Sequence, residues 1–276
     1  MQYIKELLRE TLIHAAYKKL KRTWNRLKGK RLAIQDKEFD TDGLRHLGSP
    51  AAGWTFLDST RLDQCVVISA GAGEDISFEI ELISEYDCKV ILLDPTPKAI
   101  SHFENISVRF GKQNSSNYVK SGRQEIKAYN LSSVSTNNIQ LIPCALWNTQ
   151  TDIKFYSPPN PNHVSHSISN FQNDYNQNGD HIIVKTITLE QLCEEYAVKD
   201  IEIMKLDIEG AEIEVLQNMF STKIRPQQIL VEFDELYNLT SDAKRRITKT
   251  LEMLEHNGYT MRFASGETDF LFIKSD

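Results

Sequence analysis

One acidic segment combines residue types that could move a proton. Residues 201–216 read IEIMKLDIEGAEIEVL, an apolar run that ends at Asp207 and turns at Gly210 into a carboxylate-rich stretch. The run predicts a buried strand and the glycine a turn into a helix, so Asp207 should lie in a cleft past the strand end. There Asp207, or Glu232 at the end of the next apolar run, could serve as a general base or as a metal ligand.

Lys205 is the one cation inside this apolar run. A buried lysine is rarely unpaired, so the sequence predicts an ion pair with Glu232 or Asp234 on the neighbouring strand. Two interpretations stay open at this point. The pair could be purely structural, or Lys205 could orient or activate an acceptor molecule.

A glycine turn forms the second group of interest. The apolar run at 65–69 leads into Ala70–Gly73 (AGAG), and the next apolar run ends at Asp94. Small residues at a strand-to-helix turn let the backbone approach a ligand closely. A carboxylate that closes the second strand can accept both ribose hydroxyls of an adenosine-type cofactor. Alternatively, the glycines allow close helix packing only, and Asp94 caps the helix that follows Pro95.

Charge distinguishes between the cofactors that use such a turn. A dinucleotide needs a third glycine where this chain has Ile76, and Glu74 and Asp75 would place two negative charges at its pyrophosphate. S-adenosylmethionine carries a sulfonium and an ammonium group but no phosphate, so nearby acids suit it. The local chemistry therefore predicts S-adenosylmethionine in preference to NAD, FAD or ATP.

Two histidines lie in a long polar stretch at 157–180. His163 and His166, in NHVSHS, could deliver a base to the cleft, because histidine titrates near neutral pH. They could alternatively bind a divalent metal ion, or have no role. A divalent metal ion is possible from these residues, but no metal site is predicted.

The elements around these residues alternate between strands and helices. Buried strands are predicted at 65–69, 88–94, 138–147, 201–207 and 227–234, with helices between them and a closing hairpin after 258. Segments 151–157 and 181–188 alternate in polarity and predict antiparallel additions. The pattern predicts one α/β domain over residues 61–276, doubly wound and Rossmann-like.

Residues 1–60 are predicted to form an N-terminal helical extension, with an amphipathic helix over 3–27 and a connector. Residues 1–31 hold ten Lys/Arg and two acids although the whole chain has a net charge of −6, so the rest is strongly acidic. An acidic body argues against a nucleic-acid partner. The basic helix could contact a membrane surface, a partner protein or its own domain.

The remaining sequence features favour a cytoplasmic protein that could be membrane-peripheral. No run of 18 uncharged apolar residues and no secretory signal pattern is present. The four cysteines include no CxxC pair, which is typical of reduced, mostly buried thiols. The oligomeric state is not predicted.

Several of these segments resemble the FkbM-type methyltransferases. They are CVVISAGAGEDISFEIEL, VILLDPTPKA, CALWN, IEIMKLDIEGAEIEVL and QILVEFDEL, over about residues 64–236, and KLDIEGAE is the most specific part. The resemblance implies a class I S-adenosylmethionine fold of about seven strands with helices on both faces. It also implies O-methylation, usually of a sugar hydroxyl or a polyketide-type natural product.

By position, the resemblance implies a role for each site residue. Gly71 and Gly73 would line the amino-acid end of the cofactor, Glu74 and Asp75 would open the helix beside it, Asp94 would take the ribose, Cys144 and Ala145 would lie at the adenine, and Asp207 would face the methyl group and the acceptor. Ser69 stands where many class I enzymes carry an acid. The methionine ammonium would then be held by backbone carbonyls or by Glu74 or Asp207.

Two other functions remain open from the sequence. One is a non-catalytic Rossmann-like module that docks a carbohydrate-synthesis complex through residues 1–31. The other, which the charges disfavour, is a dinucleotide-dependent oxidoreductase. The acceptor could be a small molecule or a glycan.

Overall fold

A computed structural model describes residues 31–114, 116–158, 166–168, 179–237 and 239–275. The predicted amphipathic helix at 3–27 lies outside these residues. The strands are β1 (Leu44–Leu47), β2 (Trp54–Leu57), β3 (Val66–Ala70), β4 (Lys89–Leu93), β5 (Ile139–Ile142), β6 (Ala145–Leu146), β7 (Asp152–Tyr156), β8 (His181–Ile187), β9 (Ile203–Leu206), β10 (Gln228–Glu232), β11 (Tyr259–Ala264) and β12 (Asp269–Lys274). The α-helices are α1 (Ser77–Tyr86), α2 (Pro97–Ser107), α3 (Leu189–Glu195), α4 (Glu212–Ser221) and α5 (Ser241–His256), with short 3-10 turns at Ala33–Asp36, Thr60–Leu62, Ile126–Ala128 and Asp234–Leu236.

A seven-stranded sheet forms the centre of the molecule, in the order β11-β12-β10-β9-β3-β4-β5. Strands β10, β9, β3, β4 and β5 run parallel, and β12 is antiparallel to both of its neighbours. The strand order reverses between β3 and β9, which is where open α/β sheets bind ligands. The predicted doubly wound, Rossmann-like α/β fold with a sheet of seven strands is confirmed.

Both faces of this sheet are covered, which explains the uninterrupted apolar runs of its parallel strands. On one face α3, α4 and α5 pack through residues such as Leu192, Leu216 and Leu254. On the other face α1 and α2 pack through Ile80 and Ile106, together with the β1–β2 hairpin. The helices therefore hold the parallel strands between two apolar layers.

A second sheet of three strands, in the order β6-β8-β7, stands beside the first. Segments 151–157 and 181–188, predicted as antiparallel additions, form β7 and β8, which pair antiparallel with each other in this second sheet and not with the central one. The segment predicted as one strand at 138–147 is instead divided at Pro143 between β5 and β6. Proline has no N–H to continue a ladder, so the chain leaves the central sheet there and enters the small one.

The connector at 31–60 packs on the domain, although the boundary predicted at residue 60 stays a prediction. Phe56 is fully buried, and the Gln228 side chain bonds the backbone N–H and C=O of Leu57 at 2.9 Å each. Arg31 is held by Asp36 and by the carbonyl of Gly266 in the β11–β12 turn. All four cysteines are free. None of the helices in the described ranges has the length and apolar character needed to cross a bilayer.

Candidate functional site

A cleft of about 250 Å³ opens at the carboxyl edge of the central sheet, at the reversal between β3 and β9. It is lined by the turn after β3 (Gly71–Asp75), the end of β4 (Leu93–Thr96), the turn at β9 (Lys205, Asp207, Ile208, Glu209, Ala211), the small sheet and its neighbour (Ala145, Leu146, Phe155, His166, Ile168) and two loops (Ala51, Ala52, Gly122). Most of the predicted site residues are therefore brought together in one place.

The glycine turn owes its composition to a close backbone contact. Gly71 has φ +92°, and a Cβ at this position would lie 1.8 Å from the carbonyl oxygen of Asp207. The close contact at Gly71 is with the backbone of Asp207 and not with a helix, and Gly71 also lines the cleft. Ala70 lies fully buried just before the turn, and its carbonyl accepts the Asp207 N–H at 3.1 Å. The turn after β3 and the turn after β9 are therefore built as one unit.

Asp94 connects this unit to the next helix. One carboxylate oxygen accepts the backbone N–H groups of Ala72 and Gly73 at 3.0 and 2.9 Å. The other oxygen accepts the N–H and the hydroxyl of Thr96 at 2.8 and 2.6 Å. Thr96, and not Asp94, is the N-cap of α2. Asp94 is 7% exposed and borders the cleft, so it holds the glycine turn and faces any ligand bound there.

The two acids that open α1 are also held by the protein. Asp75 accepts the Ser77 N–H at 3.0 Å, the Ser49 hydroxyl at 2.7 Å and the Gln124 side-chain amide at 2.9 Å. Glu74 forms an ion pair with Arg123 at 3.2 Å. A carboxylate therefore already occupies the N-terminal end of α1, where a phosphate would otherwise bind.

Lys205 forms ion pairs as predicted, but the prediction that its partner is Glu232 or Asp234 is wrong. Its Nζ lies 3.4 Å from Glu79 of α1 and 3.9 Å from Asp207, and it donates a hydrogen bond to the Gly71 carbonyl at 2.7 Å. Burial lowers the pKa of Lys205, but the charges of Glu79 and Asp207 outweigh it and leave the pKa raised. Lys205 pairs in register with Ser69, so its side chain points to the face that α1 covers.

Ser69 belongs to the same network. Its hydroxyl donates to Glu79 at 2.6 Å, and both side chains are buried. Glu79 of α1 thus places a carboxylate beside Ser69, but this carboxylate is buried and does not border the cleft. Nothing in the sequence indicated Glu79, because its contact depends on how α1 crosses the sheet.

Asp207 and Glu232 form a carboxyl pair at the end of β9 and β10. Burial, together with the charge of Glu232, raises the pKa of Asp207 to about 8, against a lowering by Lys205. Burial and then Asp269 raise the pKa of Glu232, which also accepts hydrogen bonds from Tyr237 and Thr268 at 2.8 and 2.9 Å. Asp207 borders the cleft with 31% of its side chain exposed, and Glu232 stands behind it.

A second buried carboxyl pair, Glu212 and Asp234, makes the stability of the protein depend on pH. Burial and then Glu212 raise the pKa of Asp234. An acid with a raised folded pKa stabilises fully below its unfolded pKa of about 4, and this stability is lost as pH rises towards the folded value. We therefore expect the Tm of the wild type to fall between about pH 5 and about pH 8.

Asp234→Asn should remove part of the fall in Tm that we expect as the pH rises. We expect its Tm at about pH 8 to exceed that of the wild type by at least about 2 °C, with a smaller difference at about pH 5, in thermal unfolding followed by circular dichroism. The control is Asp242→Asn, because Asp242 is exposed and Arg245 lowers its pKa. An equal loss of Tm at both pH values in Asp234→Asn would contradict the explanation.

Of the two histidines predicted as candidate bases, the structure describes one. His163 lies outside the described residues. His166 borders the cleft, stacks on Phe155 with ring centroids 6.1 Å apart, and lies 3.3 Å from the Ser157 hydroxyl. Across the described part of the chain, no three His, Cys, Asp or Glu side chains are arranged to hold a metal ion.

The far end of the cleft is apolar. Ala145, Phe155 and Ile168 belong to one small cluster of the second sheet, and all three border the cleft. Cys144, predicted beside Ala145, does not border it and packs against the core. The sequence did not single out Phe155, although its place in an alternating strand could have indicated an inward-facing ring.

The chain is similar to a known protein family in sequence. The family model for the methyltransferase FkbM domain matches residues 62–261. No curated protein matched the chain in sequence.

Solved structures that resemble the chain include two methyltransferases and a fibrillarin, a pre-rRNA processing protein. Precorrin-6y C5,15-methyltransferase from Geobacter metallireducens is 13% identical with a TM-score of 0.39, covering 77% of this chain and 81% of that one. Fibrillarin from Methanococcus jannaschii is 12% identical with a TM-score of 0.38, and the match covers 79% of this chain and 70% of that one. A variant of the 16S rRNA (adenine(1408)-N(1))-methyltransferase from Catenulisporales acidiphilia is 10% identical with a TM-score of 0.36. The match covers 84% of this chain and 98% of that one. Similarity at these levels carries no information on the acceptor.

Proposed function

We propose that this chain, which belongs to the FkbM methyltransferase family, transfers a methyl group from S-adenosylmethionine to a hydroxyl of a sugar, a glycan or a natural product. The observation that carries the proposal is that carboxylates already accept the backbone N–H groups at the cleft. Asp94 takes the N–H groups of the glycine turn, and Asp75 takes an N–H at the start of α1.

These contacts fit S-adenosylmethionine better than a phosphate-bearing cofactor. The N–H groups that would bind a pyrophosphate are already paired with anions, and further negative charge there would be repelled. A sulfonium nucleoside brings positive charge into a site bordered by Glu74, Asp94 and Asp207. The apolar end at Ala145, Phe155 and Ile168 suits an adenine ring.

Residues of this chain would hold such a cofactor along the length of the cleft. Asp94 lies where ribose hydroxyls can replace the Thr96 hydroxyl as donors. Glu74 and the carbonyls of the glycine turn border the cleft where the methionine ammonium would lie. When bound, the cofactor supplies an electrophilic methyl group on a positively charged sulfur.

The chemistry of Asp207 favours an oxygen acceptor. A hydroxyl is a poor nucleophile at neutral pH and gains from a base that removes its proton. Asp207 reaches the cleft, and burial with Glu232 raises its pKa to about 8, so its ionised form, which can accept a proton, becomes the main form as the pH rises above that value. Lys205 fixes the adjoining turn through the Gly71 carbonyl, and Glu232 is placed to exchange a proton with Asp207.

Calorimetry with S-adenosylhomocysteine tests the cofactor assignment. We expect saturable binding to the wild type and at least about tenfold weaker binding to Asp94→Ala, which loses the anchor of the glycine turn. NADH should not bind. Absence of any S-adenosylhomocysteine binding at about 1 mM would contradict the proposal.

The same variant addresses the non-catalytic alternative. A docking module would keep its partner binding after Asp94→Ala and would show no methyl transfer with any acceptor. We also propose that residues 1–31 contact a membrane surface or a partner protein, since their charge is opposite to that of the body. A cytoplasmic, membrane-peripheral location would follow.

A further inference from the structure

The loop that follows α2 brings a cation to the rim of the cleft. Gly122 lines the cleft, and Arg123 directly after it forms a parallel β-bridge with Glu74. Nε of Arg123 lies 3.2 Å from the Glu74 carboxylate, and 76% of the Arg123 side chain is exposed. Nothing lies within 4 Å of the position that a Cβ on Gly122 would take, so there is open space beside this arginine.

The next residue, Gln124, fixes the backbone of this loop against the start of α1. Gln124 is 2% exposed, and its backbone N–H donates to the Glu74 carbonyl at 2.9 Å. Its side-chain amide donates to Asp75 at 2.9 Å and to two carbonyls of its own loop at 2.9 and 3.0 Å. The backbone at Arg123 is therefore held in place, while its guanidinium extends into solvent and can change direction.

The charge of the cleft is unfavourable for one group of the cofactor. The described residues that line it include five acids and one lysine, namely Glu74, Asp75, Asp94, Asp207, Glu209 and Lys205. The acids suit the sulfonium and the ammonium, but they repel the methionine carboxylate. Lys205 already donates to the Gly71 carbonyl and lies 3.4 Å from Glu79, so its charge is compensated within the protein. A cation at the rim would offset this repulsion.

We propose that Arg123 binds the carboxylate at the methionine end of S-adenosylmethionine, and that Glu74 then takes the ammonium group in place of Arg123. This inference rests on the proposed function, because it concerns the cofactor of that methyl transfer. A guanidinium presents paired N–H donors that match the two oxygens of a carboxylate. The exchange of partners costs little, because an exposed ion pair such as Arg123–Glu74 contributes little to stability.

Calorimetry with two ligands that differ by one group tests the assignment. The probes are S-adenosylhomocysteine and its decarboxylated analogue, S-adenosyl-3-thiopropylamine, which keeps the nucleoside and the ammonium. Arg123→Gln should weaken S-adenosylhomocysteine binding about tenfold, as expected for the loss of hydrogen bonds between charged groups. The same variant should bind the decarboxylated analogue as tightly as the wild type or more tightly, because Glu74 has lost its competing cation.

Two further variants separate the role of Arg123 from the effect of charge alone. Lys127→Gln removes one positive charge nearby, but Lys127 is paired with Glu125 at 3.0 Å and does not line the cleft. We expect it to bind both ligands as the wild type does. Arg123→Lys keeps the charge without the paired donors, so it should recover part of the affinity for S-adenosylhomocysteine.

Two results would overturn the inference and leave the proposed function standing. Equal weakening of both ligands in Arg123→Gln would show that the arginine only supports the position of Glu74. Unchanged binding of both ligands would show that other groups hold the carboxylate. If the wild type binds neither ligand, the proposed function fails and this inference fails with it.

Discussion

Asp207→Asn should abolish most methyl transfer and leave cofactor binding intact. The asparagine keeps the shape of the side chain at the cleft but cannot take a proton from an acceptor hydroxyl. We expect kcat to fall by about 10²–10⁴-fold, the usual contribution of a general base. S-adenosylhomocysteine should bind within about twofold of the wild type, since Lys205 keeps its partners Glu79 and the Gly71 carbonyl.

The pH dependence gives a second measure of the same role. In the wild type, kcat/KM should rise with pH, reach half of its maximum near the Asp207 pKa of about 8 and level off above it, because the ionised carboxylate is the active form. A panel of methyl glycosides is offered as acceptors, with S-adenosylhomocysteine formation as the readout. Asp200→Asn is the control, because Asp200 lies away from the cleft. Unchanged kcat and an unchanged pH profile in Asp207→Asn would rule out this base.

The parallel core of the fold could be predicted because its signals are local. Each apolar run that becomes β3, β4, β9 or β10 is covered on both faces, and a glycine or an acid marks where it ends. The small sheet could not be predicted in the same way. Alternation along β7 and β8 shows that one face is buried, but not against which sheet.

The site shows the same division between local and non-local information. Asp94 and Asp207 could be placed in the cleft because strand ends can be read from the sequence. The partners of Lys205 could not, since they depend on which face of β9 it occupies and on how α1 crosses that face. Asp269 gave no signal either, because only the pairing of β12 with β10 brings it beside Glu232.

Gly71→Ala should cost more than any other single methyl group in the domain. The added Cβ would overlap the Asp207 carbonyl at 1.8 Å, and both groups belong to backbone that no rotamer change can move. An alanine at φ +92° is also strained by about 1–3 kcal/mol before any overlap is counted. To relieve the contact, the turn after β3 must separate from the turn after β9, which displaces the Ala72 and Gly73 N–H groups from Asp94. We therefore expect loss of S-adenosylhomocysteine binding together with a marked fall in Tm.

Gly111→Ala separates the cost of backbone strain from the cost of the overlap with the Asp207 carbonyl. Gly111 has φ +81°, but nothing lies within 4 Å of the position that its Cβ would take. It should therefore show the backbone strain alone, about 1–3 kcal/mol by urea unfolding, with cofactor binding unchanged. The extra loss in Gly71→Ala measures the overlap with Asp207. Equal losses in the two variants, with S-adenosylhomocysteine still bound by both, would show that the two turns move independently and that the cleft does not depend on their contact.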